Sequence, residues 1–208
     1  MIDRKISSLW KQAFRSGFEE RYIELAINSY KEILNKKIGK NPWENTRRNM
    51  LCSQMQKDKF KYGITFNIAP ERGVWDENFK DKGRIDICCY LNQLDDWYIA
   101  FECKRFLKTS LVPSYIKDQY YAKGIKRFED NIYSKNINIG GMIAFLEEGD
   151  FTKLNKTMNK ELTRYSINNQ LEELSDKYKH SYVYKTAHLR KNNGNIKLVH
   201  ILMNFSPM

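Results

Sequence analysis

Three residues of this chain have the types and spacing to act together chemically: Asp86, Glu102 and Lys104. The aspartate interrupts "GRIDICCY", and the glutamate and lysine interrupt "WYIAFECKR", apolar runs in which unpaired charge is costly. The two runs fold about "NQLDD" and read as a β-hairpin. Paired antiparallel about Leu94, they set Asp86 opposite Glu102, Arg84 opposite Lys104, Cys88 opposite Ala100 and Tyr90 opposite Tyr98, all on one face. The other face pairs Leu91 with Trp97, Cys89 with Ile99, Ile87 with Phe101 and Ile85 with Cys103, and is wholly apolar. A slip of one residue would turn every charge into the core, so the patterning supports this parity.

Two carboxylates opposed on adjacent strands repel, and the cost grows with burial. A divalent cation between them turns that liability into a binding site, and hard oxygen ligands suit Mg²⁺, which keeps waters and takes few protein carboxylates. Lys104 projects to the same side, where it could orient or help deprotonate a metal-bound water while the metal polarises a phosphoryl oxygen. A plainer reading competes: an exposed hairpin carrying Arg84, Asp86, Glu102 and Lys104 as a surface salt-bridge cluster of little energetic worth. The density of the apolar runs favours central strands, and with them the chemical reading.

The rest of the chain must supply the elements that hold this hairpin. Residues 3–38 place Trp10, Phe14, Phe18, Tyr22, Leu25 and Ile33 at helical spacings, so one stripe of a long helix, or of two short ones, seeks a core. "GKNPWENTRRNMLCSQMQ" marks a helix start, with Asn41 as cap, Pro42 in the first turn and Glu44 three residues after the cap. A strand is expected in "GITFNIA", a polar loop over 70–82, and then the hairpin. "PSYIKDQYYAKGIKRFEDNIYS" reads as a helix, "IGGMIAFLEEG" as a buried strand entered through glycines, and 153–178 as a second helix. "SYVYKTAHLR" and "IKLVHILMNF" read as a terminal strand pair joined through "KNNGN". This order predicts a mixed α/β or α+β domain around one central sheet over 41–208, with residues 1–40 as a helical extension packed on it.

With 208 residues, 41% hydrophobic and 13% aromatic, the chain has ample material for such a core. Its 36 Lys plus Arg against 25 Asp plus Glu give +11, a balance that fits either a polyanionic partner or a lysine-rich solvated surface. The start "MIDRKISSLW" lacks the apolar core of a signal peptide and no long apolar run occurs, so a cytoplasmic protein without a membrane role is expected. Cys52, Cys88, Cys89 and Cys103 show no CxxC spacing, which argues for reduced, buried thiols and against a disulfide framework or zinc site. Gly-rich phosphate loops and the GxSxG elbow are both absent.

An acid near the start of one strand, followed by acid-any-lysine on the next, resembles the restriction-endonuclease-like PD-(D/E)XK nuclease superfamily, with Asp86, Glu102 and Lys104 in those places. The order of elements over roughly 41–146 resembles it too. The resemblance implies a restriction-endonuclease-like central mixed sheet flanked by helices and a nuclease that hydrolyses phosphodiester bonds, DNA preferred. It implies Mg²⁺, with Mn²⁺ as a substitute, held by Asp86, Glu102 and the backbone carbonyl of Cys103, and Lys104 positioning the attacking water. Members often carry an acid on the helix before the sheet. Glu44 matches that place, and is either a further metal ligand or the third-position partner of a capping box. Ile85 stands where many members have proline, and Lys123 stands where some exonuclease-like branches have tyrosine. "YAKGIKRFEDNIYSKNINIGGMIAF" and "YKTAHLRK…IKLVHILMNF" resemble bacterial nuclease-like proteins found among phage-defence genes, which implies an endonuclease in bacterial defence or DNA processing, with a partner protein or as a homodimer, since two copies of one site commonly cut both strands of a duplex.

Lys117, Lys123, Lys126 and Arg127, interleaved with Tyr120, Tyr121 and Phe128, could grip a phosphate backbone, or could be the wet face of an amphipathic helix. His188 and His200 sit on the two arms of the terminal hairpin. A two-residue turn at Asn193-Gly194 would oppose Ala187 to His200, and a three-residue loop would oppose His188 to His200. Without a third ligand they make a poor zinc site. Glu71, Asp76, Glu77 and Asp81 are auxiliary metal ligands or ordinary loop polarity. The alternative to a nuclease is a non-cleaving nucleic-acid-binding subunit of nuclease-like fold; the plainest is a basic α/β protein whose hairpin charges are structural.

Overall fold

Phe18, Tyr22, Leu25 and Ile33, four members of the apolar stripe expected in the first helix, are all buried on α1 (Phe18–Leu34). The computed structural model describes residues 17–34, 44–75, 81–90, 98–174, 178, 181–192 and 194–206. Trp10, Phe14, Asn41 and Pro42 lie outside them. Helix α2 (Glu44–Asp58) leads into β1 (Asn67–Trp75), β2 (Asp81–Tyr90) and β3 (Tyr98–Phe106). A crossover helix, α3, starts as Pro113–Tyr115, winds as a π-helix over Ile116–Ile125 and closes as Lys126–Glu129. Then come β4 (Ile139–Leu146), α4 (Phe151–Tyr165), β5 (Leu171–Glu173), β6 (Ser181–Leu189) and β7 (Asn195–Asn204). Among the described residues no helix is long and apolar enough to cross a membrane.

The strands form one seven-stranded mixed sheet in the order β1-β2-β3-β4-β7-β6-β5. The central β3, β4 and β7 run parallel and the flanking pairs antiparallel. Helices cover both faces, which is why β4 reads as an unbroken apolar run. On one face α1 and α2 bury Tyr22, Ile23, Leu51 and Met55 against Ile87, Phe101, Ile143 and Ile201. On the other, α3 and α4 bury Tyr120, Phe128, Leu154 and Met158 against Ala100, Met142, Ala144 and Leu198. The strand-entry glycine Gly141 leaves the room Phe101 fills: a Cβ there would stand 2.2 Å from that ring. All four cysteines are buried and unbonded, as their spacing implied.

Four expectations are corrected. The strand sought in "GITFNIA" begins later, at Asn67, and runs through the expected polar loop to Trp75. Its Pro70 is tolerated because β1 is an edge strand. The helix expected over 153–178 stops at Tyr165, where extended Ser166 and left-handed Asn168 and Asn169 (φ 55° and 51°) turn the chain into the edge strand β5. The crossover helix is not α-helical throughout. Its buried Ile116, Tyr120, Gly124 and Phe128 recur every fourth residue, longer than the 3.6 of an α-helix, and the π-winding keeps that stripe on the sheet. In the terminal hairpin Tyr184, not Ala187 or His188, opposes His200, because the loop closes earlier in the chain than either turn considered, with an Arg190 N–H bond to the Gly194 carbonyl.

Candidate functional site

The hairpin pairs Ile87 with Phe101, Cys88 with Ala100, Cys89 with Ile99 and Tyr90 with Tyr98, the register expected from alternation. Residues 91–97, and so the Leu91–Trp97 pair and the turn, lie outside the described residues. Pairing of β2 with β3 ends at Ile87 and Phe101, so Asp86 with Glu102, Arg84 with Lys104 and Ile85 with Cys103 are not register partners. Alternation breaks at the same level: Ile85 is buried with Cys88 and Tyr90, not with Ile87 and Cys89. On β1, Glu71 adopts a left-handed φ of 55° between Pro70, which opposes Ile87, and Arg72, which opposes Ile85.

This parting of the strands builds the site. Two β3 amides beyond the last β2 pair are taken by carboxylates: Cys103 N–H donates to Asp86 Oδ2 at 2.7 Å, and Arg105 N–H to Glu44 Oε2 at 2.6 Å. Glu44 thus acts 61 residues away in sequence, from the first turn of α2. Its capping-box partner Asn41 lies outside the described residues. Arg48, one turn further on, donates from Nη1 to Asp86 Oδ1 at 3.0 Å and from Nη2 to Glu71 Oε1 at 2.6 Å. Glu102 and Lys104 share the face opposite to α1 and α2, with Lys104 Nζ 2.6 Å from Glu102 Oε1. Glu102 Oε2 is buried without a hydrogen-bond partner.

Burial raises the Glu102 carboxyl to about 7; Lys104 opposes the rise and Asp86 adds to it. Glu44 is also raised, chiefly by burial, with Lys104 opposing and Asp86 adding. For Lys104 burial pulls the ammonium down, but the attraction of Glu102, Asp86 and Glu44 outweighs it, and the net is upward. Lys104 is therefore a fixed cation, suited to orienting water or an anion and unsuited to taking a proton. Arg127 donates to the Tyr133 hydroxyl, which donates to the Arg84 carbonyl. Burial lowers the Arg127 guanidinium and Glu102 and Asp86 raise it, with a net rise, so its charge belongs to the same field.

Asp86, Glu102, Lys104 and Glu44 are therefore brought together by three elements, α2, β2 and β3. Of the basic residues on α3, Arg127 is turned toward this cluster. Lys117 and Lys123 are exposed, and Lys126 is exposed and reaches Glu129 at 4.0 Å and Asp130 at 3.7 Å. Among the loop acids Glu71 holds Arg48, and Asp81 accepts from its neighbour Gly83 N–H at 2.7 Å; Asp76 and Glu77 lie outside the described residues. Sequence reasoning missed Arg48 and Tyr133. The available signal for Arg48 was its place four residues after Glu44 on a helix that buries Arg47, Arg48, Gln54 and Asp58.

His188 and His200 are both buried, in a hydrogen-bonded chain on the face of Glu102. Tyr120 hydroxyl lies 3.1 Å from His200 Nδ1, and Thr186 Oγ1 lies 2.7 Å from His200 Nε2 and 2.8 Å from His188 Nε2. His188 Nδ1 closes the chain on Glu129 Oε1 at 3.1 Å. Thr186 offers one hydroxyl proton and two lone pairs, so the one side chain can serve both rings. The histidines are thus satisfied through Thr186.

Among the described residues no group of three or more His, Cys, Asp or Glu side chains is arranged to hold a metal ion. Mg²⁺ takes only one or two carboxylates and fills its shell with water. The donor chemistry fits that demand: Glu102 offers an unpartnered buried oxygen, and Asp86 lies close enough to raise the Glu102 carboxyl. In comparisons with known proteins, no family model, no curated protein and no solved structure matches this chain.

Proposed function

We propose that this chain is a metal-dependent nuclease of restriction-endonuclease-like fold that hydrolyses phosphodiester bonds of nucleic acid, DNA preferred. The observation that carries the reading is the Glu102 carboxylate, 4% exposed, with one oxygen on Lys104 and the other unpartnered, beside a second carboxylate, Asp86, fixed by Arg48 and the Cys103 amide. Asp86 and Glu102, with the Cys103 backbone carbonyl, would hold Mg²⁺, or Mn²⁺ in its place, and Glu44 would reach it through bound water. When bound, the ion supplies Lewis-acid polarisation and an acidified water. The chain's own residues do the positioning. Lys104, anchored on Glu102, orients the attacking water and offsets charge developing on the phosphate. Arg48 keeps Asp86 aimed, and Arg127 adds positive potential at the same place. The charge of +11 favours a polyanionic substrate. Two copies of one site commonly cut the two strands of a duplex, so a homodimer, or a partner protein in bacterial defence, belongs to the same proposal.

The second reading, a nucleic-acid-binding subunit that does not cut, is favoured by a specific feature: Lys104 and Arg48 already neutralise Glu102 and Asp86 without an ion. Cleavage of supercoiled plasmid, linear duplex, single-stranded DNA and RNA, in Mg²⁺, in Mn²⁺ and in EDTA, separates the two. The nuclease reading expects metal-dependent cutting that Lys104→Ala reduces by about 10²–10³, as for removal of one transition-state donor. No cutting of any substrate, with wild type and Lys104→Ala binding DNA equally, would replace it with the subunit reading.

A further inference from the structure

A groove of about 1010 Å³ runs along the edge of the sheet beside the acidic cluster, between the β1–β2 pair and the segment that follows α3. Among the described residues its charged lining is one-sided: Arg72, Lys82, Lys135 and Lys191 against Asp130, which already lies 3.0 Å from Lys191 and 3.7 Å from Lys126. Its flat surfaces are equally unusual for an edge strand. The Arg72 guanidinium lies 4.8 Å over the Tyr98 ring and 5.7 Å over Tyr90, is half-buried, and lines the groove together with both rings. Trp75 is 62% exposed, with its indole occupying the space a side chain at Gly73 would fill. An indole left in water at the mouth of a cationic groove is poorly explained by folding, because it gains little from burial.

We infer that this groove is a binding site for an unpaired nucleotide, the base stacked on Arg72 and Trp75 and its flanking phosphates held by Lys82, Lys135 and Lys191. Guanidinium planes and aromatic rings stack bases without regard to sequence, and lysines track the backbone. A continuous wall connects the groove to the catalytic cluster. Asp130 and Ile132 line the groove, Tyr133 comes next, and its hydroxyl bonds the carbonyl of Arg84, the register partner of Gly73 on the groove floor. Arg127, which carries the field of Glu102 and Asp86, donates to the same hydroxyl. A strand with one base seated in the groove would pass its next phosphates over that wall. The inference deepens the nuclease reading by giving it a single-stranded, frayed or overhanging substrate, and it takes from that reading only the identity of the polyanion.

The test is fluorescence anisotropy in EDTA with a twelve-nucleotide oligo-dT, a blunt duplex and free thymidine monophosphate, on wild type, Trp75→Ala and Arg72→Ala. Trp75→Ala, exposed and so expected to melt with wild type, should weaken oligo-dT about 5- to 150-fold, the range to which ~1–3 kcal/mol of base stacking converts, and leave blunt duplex unchanged. A matching loss for the mononucleotide would identify a free-nucleotide pocket, and retention of oligo-dT by both variants would overturn the site. Lys135→Ala with Lys191→Ala should lower the slope of log affinity against log salt by about 1.4, at about 0.7 per single-strand phosphate contact. Equal binding of every probe by wild type and variants, as expected if a protein partner covers this groove, would also overturn it. Since no metal is present, the result stands apart from cleavage: a Trp75-dependent site without cutting sinks the nuclease reading alone, and cutting with a silent Trp75 sinks this one alone.

Discussion

Glu102→Gln should make the metal-free protein more stable above neutral pH and no more stable in acid. Glu102 is 4% exposed and its carboxyl is raised from 4.5 to about 7, mainly by burial, so in the folded state it holds its proton where the unfolded chain has lost it. Between 4.5 and about 7 the folded state therefore binds more protons, and stability falls as pH rises through that window. At about 1.36 kcal/mol per pH unit, the span amounts to roughly 3 kcal/mol, fully lost above about pH 7. Glutamine keeps the shape and the polar contacts without the charge. Its advantage should grow from near zero at pH 4.5 to roughly 3 kcal/mol at pH 8, a rise of about 6–12 °C in Tm for a chain of this size. Urea and thermal unfolding of both proteins in EDTA at pH 4.5, 6 and 8 reads the difference directly. The same substitution removes a proposed metal ligand, so the stabilised protein should be inactive, the trade that active-site carboxylates commonly show. A variant less stable than wild type at pH 8, or a difference independent of pH, would refute the reasoning, because Lys104 would then be gaining more from the carboxylate than burial costs it.

Arg47→Ala should destabilise by about 3–5 kcal/mol in urea unfolding, since it leaves buried Glu147 without its bidentate partner at 2.9 and 3.1 Å. Arg47→Met combined with Glu147→Leu should recover most of that loss, and failure to recover would show that the pair itself stabilises the fold. Buried His200 is held well below its ordinary 6.5 by burial and by His188, so the unfolded chain takes up a proton that the folded one refuses. Its contribution is complete above 6.5 and is lost as pH falls below it, by up to about 1.4 kcal/mol per pH unit, and His200→Gln should flatten that part of the stability curve.

The acids and the lysine were visible in the sequence because charge inside an apolar run is a local anomaly. The hairpin register from Ile87 to Tyr90 was visible because alternation fixes parity. The sequence leaves Glu44 two roles, site carboxylate or capping-box partner. A glutamate near a helix start has a sufficient local explanation, and only the fold sets its carboxylate on the Arg105 amide. Arg48 was hidden for a related reason, since an arginine on a polar helix reads as solvated until tertiary packing leaves it 4% exposed between Asp86 and Glu71. The partner of the histidines was not visible, because the position of the terminal loop sets the register and places Thr186 between the two rings.

Local sequence carried a mixed α/β chain around one central sheet, a surplus of positive charge, and an acid-acid-lysine set on one hairpin. These follow from composition, periodicity and nearest-neighbour sterics, all of which act over a few residues. That β2 and β3 part company at Ile87 and Phe101 emerges only from long-range packing. That parting offers two β3 amides to Asp86 and Glu44, admits Arg48 from another helix, and leaves one Glu102 oxygen buried without a partner. The left-handed Glu71 on the neighbouring β1 and the helices packed on both faces surround that point, and such long-range constraints have no signature in any short window of sequence.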